Sequence, residues 1–193
     1  MSGTVIESGW GQNNKLKINE EGCASVCGYT TRVIHHVSQV EHQAFVVGMH
    51  LAQAAGGTTE GCGYIKYNGD DVLIIDQIRL STEEPTGGLT KWGLWVNPTV
   101  YTGGAASTPV NLWLPSSIEL DASCVQNNDG TALTITGGSS MTTIRAEGGA
   151  SILVDTLGAL ALGKNDIFAV MGNAATTGTK TRAYVWCYIH KGG

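Results

Sequence analysis

Read for apolar and polar alternation, the chain changes character near residue 44. From there short apolar runs recur between turn residues. Residues 44–51 are apolar enough for a buried strand. Residues 63–67 end at Asn68-Gly69, a dipeptide that favours a tight hairpin because both positions accept positive φ. Residues 72–81 (VLIIDQIRLS) open with a continuous apolar run and then alternate, which is the clearest strand in the chain. Residues 90–97 place Trp92 and Trp95 on opposite faces, because successive strand side chains point to opposite sides. One of the two is expected in the core, and the other exposed or in a subunit contact. Further strands are predicted at 110–114, 118–120, 133–136, 141–146, 152–157, 159–162, 167–171 and 180–190, with loops over 53–61, 102–108 and 172–179. About ten strands at spacings of roughly 8–15 residues read as an antiparallel β-sandwich or barrel. No fixed-period repeat appears, which argues against a propeller or solenoid. Crossover helices are missing, which excludes a parallel βαβ sheet.

Residues 1–43 differ. They are polar, with isolated apolar anchors. Leu16 and Ile18 alternate with Lys15, Lys17 and Asn19, a short strand that ends at Glu20-Glu21-Gly22. Val33, Val37, Val40, Ala44, Val47 and Leu51 also fit one face of a helix. Against that helix stand the β-branched content, Gly48, and the lack of an acidic residue at capping-box spacing after Thr30 or Thr31. The segment therefore reads as an extended N-terminal arm with short strands, followed by a β-sandwich domain over 44–193. Ordering such an arm costs about 1–2 kcal/mol per residue in backbone entropy, and its few anchors bury too little apolar surface to offset that. The arm is expected to order only against neighbouring subunits. Its candidate partner-binding residues are Trp10, Leu16, Ile18, Val26, Tyr29 and Val33.

Composition sharpens this division. The chain has 193 residues with 27 glycines, 42% hydrophobic and 14% charged residues, which suits short strands joined by glycine-bearing turns rather than long surface helices. Eleven basic against 16 acidic residues give a net charge of −5 with no basic cluster, so nucleic acid is not an expected partner. No window approaches 18 uninterrupted apolar residues, and no membrane span is expected. Residues 1–11 lack a basic n-region and an apolar h-region, which reads as no secretory signal. The five cysteines, at 23, 27, 62, 124 and 187, are odd in number and irregular in spacing. They read as free thiols of a protein made in a reducing cytoplasm; a Cys23–Cys27 bridge or metal half-site is the sharper alternative.

Candidate chemistry is sparse. His35, His36 and His42 lie within eight residues, with Glu41 beside the last, and His50 follows. Histidines on neighbouring strands can hold a metal, but adjacent His35 and His36 would face opposite sides of a strand. No G-x-S-x-G, H-E-x-x-H or Walker A motif occurs, and Ser139-Ser140 beside Gly137-Gly138 reads as loop composition. Asp70-Asp71 and Glu83-Glu84 are carboxylate pairs beside turns, where acids serve glycoside hydrolysis only at a suitable separation and more often guard a solvated edge. Trp10, Trp92, Trp95, Trp113 and Trp186 are the large aromatics for packing, docking or stacking on sugars. No enzyme activity, cofactor or metal is expected.

Four segments carry a resemblance. They are Asn14-Lys15-Leu16-Lys17-Ile18-Asn19-Glu20-Glu21-Gly22; Val33-Ile34-His35-His36 with Glu41-His42; Tyr64-Ile65-Lys66-Tyr67-Asn68-Gly69 with Val72-Leu73-Ile74-Ile75-Asp76-Gln77-Ile78; and Leu160-Ala161-Leu162-Gly163-Lys164-Asn165-Asp166-Ile167 with the ending 183–189. Together they resemble a broad group of tailed-bacteriophage virion structural proteins. The resemblance implies a jelly-roll-like β-sandwich with an extended N-terminal arm. It implies a capsid decoration or cement protein on the capsid surface, made in the host cytoplasm. The implied partners are the major capsid protein and sister subunits of a homo-oligomer, a trimer. The alternatives are a tail-fibre or adaptor module, or a receptor-binding module using an exposed tryptophan face, and a metal-dependent sandwich enzyme using the histidines.

Overall fold

The computed structural model describes residues 17–18, 24–25, 34, 37, 41–83, 88–127 and 132–191. The backbone divides into two compact units, Met1–Arg32 and Val33–Gly193. In the first unit, β1 (Lys17–Ile18) pairs antiparallel with β2 (Ala24–Ser25). The rest of the expected arm up to residue 40 lies outside the described residues, apart from Ile34 and Val37.

From Ala44 onward the described residues of the second unit form only strands, turns and loops. Its strands are β3 (Ala44–Ala52), β4 (Glu60–Tyr67), β5 (Val72–Thr82), β6 (Leu89–Val96), β7 (Val100–Gly103), β8 (Ala105–Ala106), β9 (Val110–Asn111), β10 (Ala122–Gln126), β11 (Leu133–Thr136), β12 (Ser139–Glu147), β13 (Ser151–Leu162), β14 (Ile167–Ala174) and β15 (Lys180–His190). A five-stranded sheet has the order β13-β5-β15-β3-β9, and a six-stranded sheet the order β12-β6-β14-β4-β10-β8. Set aside β7 to β11 as an excursion between β6 and β12. The remaining eight strands, taken in chain order, give sixth-third-eighth-first in one sheet and fifth-fourth-seventh-second in the other. Every chain connection among them crosses between sheets except through the excursion, which is the double Greek key of a jelly roll.

The core lies between the sheets. Phe45, Val47, Met49 and Leu51 on β3, Leu73, Ile75, Ile78 and Leu80 on β5, and Val185 and Cys187 on β15 meet Ile65, Tyr67, Trp92, Leu94, Phe168 and Val170 of the other sheet. On β5 the inward set shifts from odd to even numbers because Asp76 is an extra residue in the register with β15, where Gln77 faces Trp186 and Ile75 faces Cys187. At Gly63 the sheets approach so closely that a Cβ would lie 2.5 Å from Met49 Cγ.

The two outer faces are treated differently. The ribbon of β7 and β11 lies over the six-stranded sheet, packing Leu133 and Ile135 on Tyr64, Ala169 and Met171, with Trp95 and Tyr101 at its margin. Over the five-stranded sheet, among the described residues, Ile34 and Val37 cover one end, against Ala44, Ile74 and Tyr188. Ile34 has α-helical backbone, and Val37 and Glu41 have π-helical backbone. So the helical face read from Val33 to Leu51 is helical at these positions and strand from Ala44 onward, where β-branched residues and pairing with β15 decide.

Other departures lie at a turn, in the excursion between β6 and β12, and on the edge strand β13. Asn68-Gly69 turns the chain but closes no hairpin, since β4 and β5 belong to different sheets. The strand expected at 118–120 is absent, the one at 110–114 stops at Asn111, and the loop expected at 102–108 contains β8. Residues 152–157 and 159–162 form one strand with a bulge between Asp155 and Leu160.

Candidate interaction surfaces

The uncovered part of the five-stranded sheet follows directly from its register. One cross-strand row runs Leu153, Arg79, Tyr184, Gly48, and the next runs Asp155, Gln77, Trp186, Val46, Val110. Tyr184 is 38% exposed, and its ring rests over Gly48, where the nearest approach to a Cβ would be 3.8 Å. The Tyr184 and Trp186 rings are tilted, with centroids 6.3 Å apart. Beside them Arg182 is held by Glu83 at 2.6 Å. Tyrosine, tryptophan and arginine on a rigid, partly desolvated face are the residue types that dominate protein contact energies.

A second surface is the loop after β9. The Asn111 carboxamide braces it: Nδ2 donates to the carbonyls of His42 (2.8 Å) and Ile118 (3.0 Å), and Oδ1 accepts from the Trp113 N–H (2.9 Å). The Ile118 N–H donates to Ser116 Oγ at 3.1 Å. The His42 ring stacks on Trp113 with centroids 4.9 Å apart and planes 5° from parallel. A loop fixed in this way holds Trp113, Leu114 and Ile118 in water, Leu114 at 81% exposure. Beside it lies a groove of about 440 Å³, lined by Ser107, Thr108, Ser116, Ser117 and Glu119 with Phe45 among its apolar walls.

Of the expected partner-binding residues, Trp10, Leu16, Val26, Tyr29 and Val33 lie outside the described residues, and of Ile18 only the backbone, in β1, is described. His35 and His36 also lie outside. His42 is spent on Trp113, and His50 sits on β3, facing Arg182 in the register with β15. No group of three or more metal-ligating side chains occurs among the described residues. Trp92 is fully buried and offers no face to a ligand, Trp95 is half-buried at the margin of the chain's own ribbon, and Trp113 is exposed. Ser139-Ser140 begins β12 rather than sitting in a loop. Asp70 is paired with Lys164 at 2.6 Å, and that hydrogen bond holds its carboxyl below the usual range.

Cys62, Cys124 and Cys187 are free and buried, as expected of thiols without a bridge, while Cys23 and Cys27 lie outside the described residues. Burial pushes the Cys62 and Cys124 thiols up to about 12 and Cys187 higher still, so they stay protonated and unreactive at neutral pH. The surfaces missed by the sequence were Tyr184 beside the candidate aromatic Trp186, Leu114, and the bulge at 156–159. Only the last had a local signal, the break in alternation at Leu157-Gly158. No protein-family model matches the chain, and no curated protein matches it.

Proposed function

We propose that the chain is a non-enzymatic structural protein of a tailed-bacteriophage virion, a decoration or cement protein that binds and stabilises the major capsid shell as a homo-oligomer. The observation that carries this reading is the uneven covering of the jelly roll. One sheet is capped by the chain's own ribbon, whereas the other presents Tyr184 and Leu153, with Trp186 half-buried beside Tyr184, and a braced loop presents Trp113 and Leu114. Rigid apolar surfaces rimmed by charge mark protein contacts. In this reading residues 1–43 clamp capsid or sister subunits, each arm gaining from the others through effective concentration. The test is a deletion. A chain lacking residues 1–32, which keeps Ile34, Val37 and His42 on the sandwich, should fold, keep its β-type circular dichroism, and bind purified capsids at well below wild-type occupancy; wild-type occupancy would sink the clamp.

The groove beside Trp113 favours a second reading, a receptor-binding module of a fibre or adaptor. Thr108, Ser117 and Glu119 line the groove, and the same braced loop exposes the Trp113 indole outside that lining; sugars are held by polar groups together with an aromatic face. A glycan array separates the two: saturable binding abolished by Trp113→Ala supports the second reading, and no binding at millimolar ligand removes it.

A further inference from the structure

Strand β13 pairs with β5 and with no other strand among the described residues. It is 12 residues long and contains no proline, and Asp155 is its one charged side chain. Proteins ordinarily guard such an edge by shortness, charge or proline. Here Leu153 is 57% exposed, and the core-side Ile152 and Val154 are only partly buried. Regular register with β5 runs from Ser151 to Asp155, bounded by the turn at 148–150 on one side and the bulge on the other.

We propose that this edge is completed by the same segment of a second copy of the chain, antiparallel, about a two-fold axis beside Leu153. This is the one register that overlaps the whole segment. A slip by one residue would set core-side against outward side chains, and longer slips run into the turn or the bulge. On the core side Ile152 meets Val154 of the second copy, and on the outer side Leu153 meets Leu153. Ser151 meets Asp155 of the second copy. Arg79 Nε already donates to Ser151 Oγ at 2.9 Å, so each incoming carboxylate arrives beside a guanidinium, and symmetry repeats the pair.

The bulge fits the same axis. Thr156 Oγ1 donates to the carbonyls of Ile75 and Asp76, and the Leu157 N–H donates to Asp155 Oδ1 at 3.0 Å. These bonds hold Leu157 at a φ of 53° with its side chain 83% exposed. A left-handed leucine in water is unfavourable by itself and persists only where surroundings enforce it. The two-fold axis directs Leu157 toward the Gly148-Gly149 turn of the second copy, where a Cβ on Gly149 would meet nothing within 4 Å. A projecting side chain thus faces open space rather than a clash.

This pairing stands or falls independently of a role in a virion. Sedimentation equilibrium of the full chain should give a dimer, or an even multiple, that Leu153→Lys converts to half the mass with an unchanged circular dichroism spectrum. Leu157→Asn, which suits the left-handed region, should weaken association about tenfold, equivalent to about 1.4 kcal/mol, without loss of folding. Leu153→Cys should yield a disulfide-linked dimer on mild oxidation, above the wild-type background, because directly opposed strand residues come within reach of a bridge. A monomeric wild type overturns the proposal. So does an oligomer whose mass survives Leu153→Lys, and so does a Leu153→Cys chain that cross-links no more than wild type.

Discussion

Gln53 shows how single side chains hold the loops at one end of the sandwich. Its carboxamide, 1% exposed, accepts from the Ala174 N–H at 3.0 Å and donates to the Thr58 carbonyl at 2.8 Å and to Glu60 Oε1 at 2.8 Å. Glu60 in turn accepts from the backbone N–H groups of Ala54 and Ala55. Gln53→Leu removes these partners from buried groups and should destabilise by about 2–3 kcal/mol, at the rate expected for unsatisfied buried polar atoms; chemical denaturation reads this directly. Buried thiols and phenols set the alkaline limit. Desolvation raises Cys62, Cys124 and Cys187, and also Tyr64, Tyr67 and Tyr188. A raised folded pKa gives stability that is complete below the unfolded value, here near 9 for thiols and 10 for phenols, and lost as pH climbs through the folded one. The melting temperature should therefore fall from about pH 9 upward, and Cys62→Ala should flatten that fall.

At the scale of elements, the ribbon of β7 and β11 is the piece that makes one outer face self-sufficient. Leu133 is 3% exposed on it. Leu133→Ala should cost about 2–4 kcal/mol and expose apolar surface of the six-stranded sheet, measurable as dye binding before global unfolding. Strands with long apolar or alternating runs, such as β5 and β15, were readable because such patterns are local, even though the extra residue Asp76 interrupts the alternation of β5. Pairing was not. Asn68-Gly69 carries a hairpin signal, yet β4 and β5 diverge into different sheets, since in a jelly roll the partner of a strand is set by distant residues. The expected strands at 110–114 and 118–120 run into the braced loop for a related reason: Leu112-Trp113-Leu114 is apolar, and the hydrogen bonds of Asn111 that hold it as a loop reach as far in sequence as His42. The bulge of β13 left a trace at Leu157-Gly158, but its opposition to Asp76 appears only with the register.

For the whole molecule, low charge and many turn glycines foretold a sandwich, and the docking surfaces came from the structure. The trimer implied by the resemblance and the two-fold β13 contact make different assemblies, which the masses above distinguish. Both place apolar surface against other subunits, as a chain with 14% charged residues allows. The central claim is that this jelly roll coats a capsid. Its most direct test is the copy number of the chain per purified particle of the phage proposed to carry it, by quantitative mass spectrometry with the major capsid protein as internal standard. The account predicts on the order of hundreds of copies, one set for each repeat of the shell symmetry. About six or twelve copies, the symmetry of a portal or tail, or none at all, would contradict it.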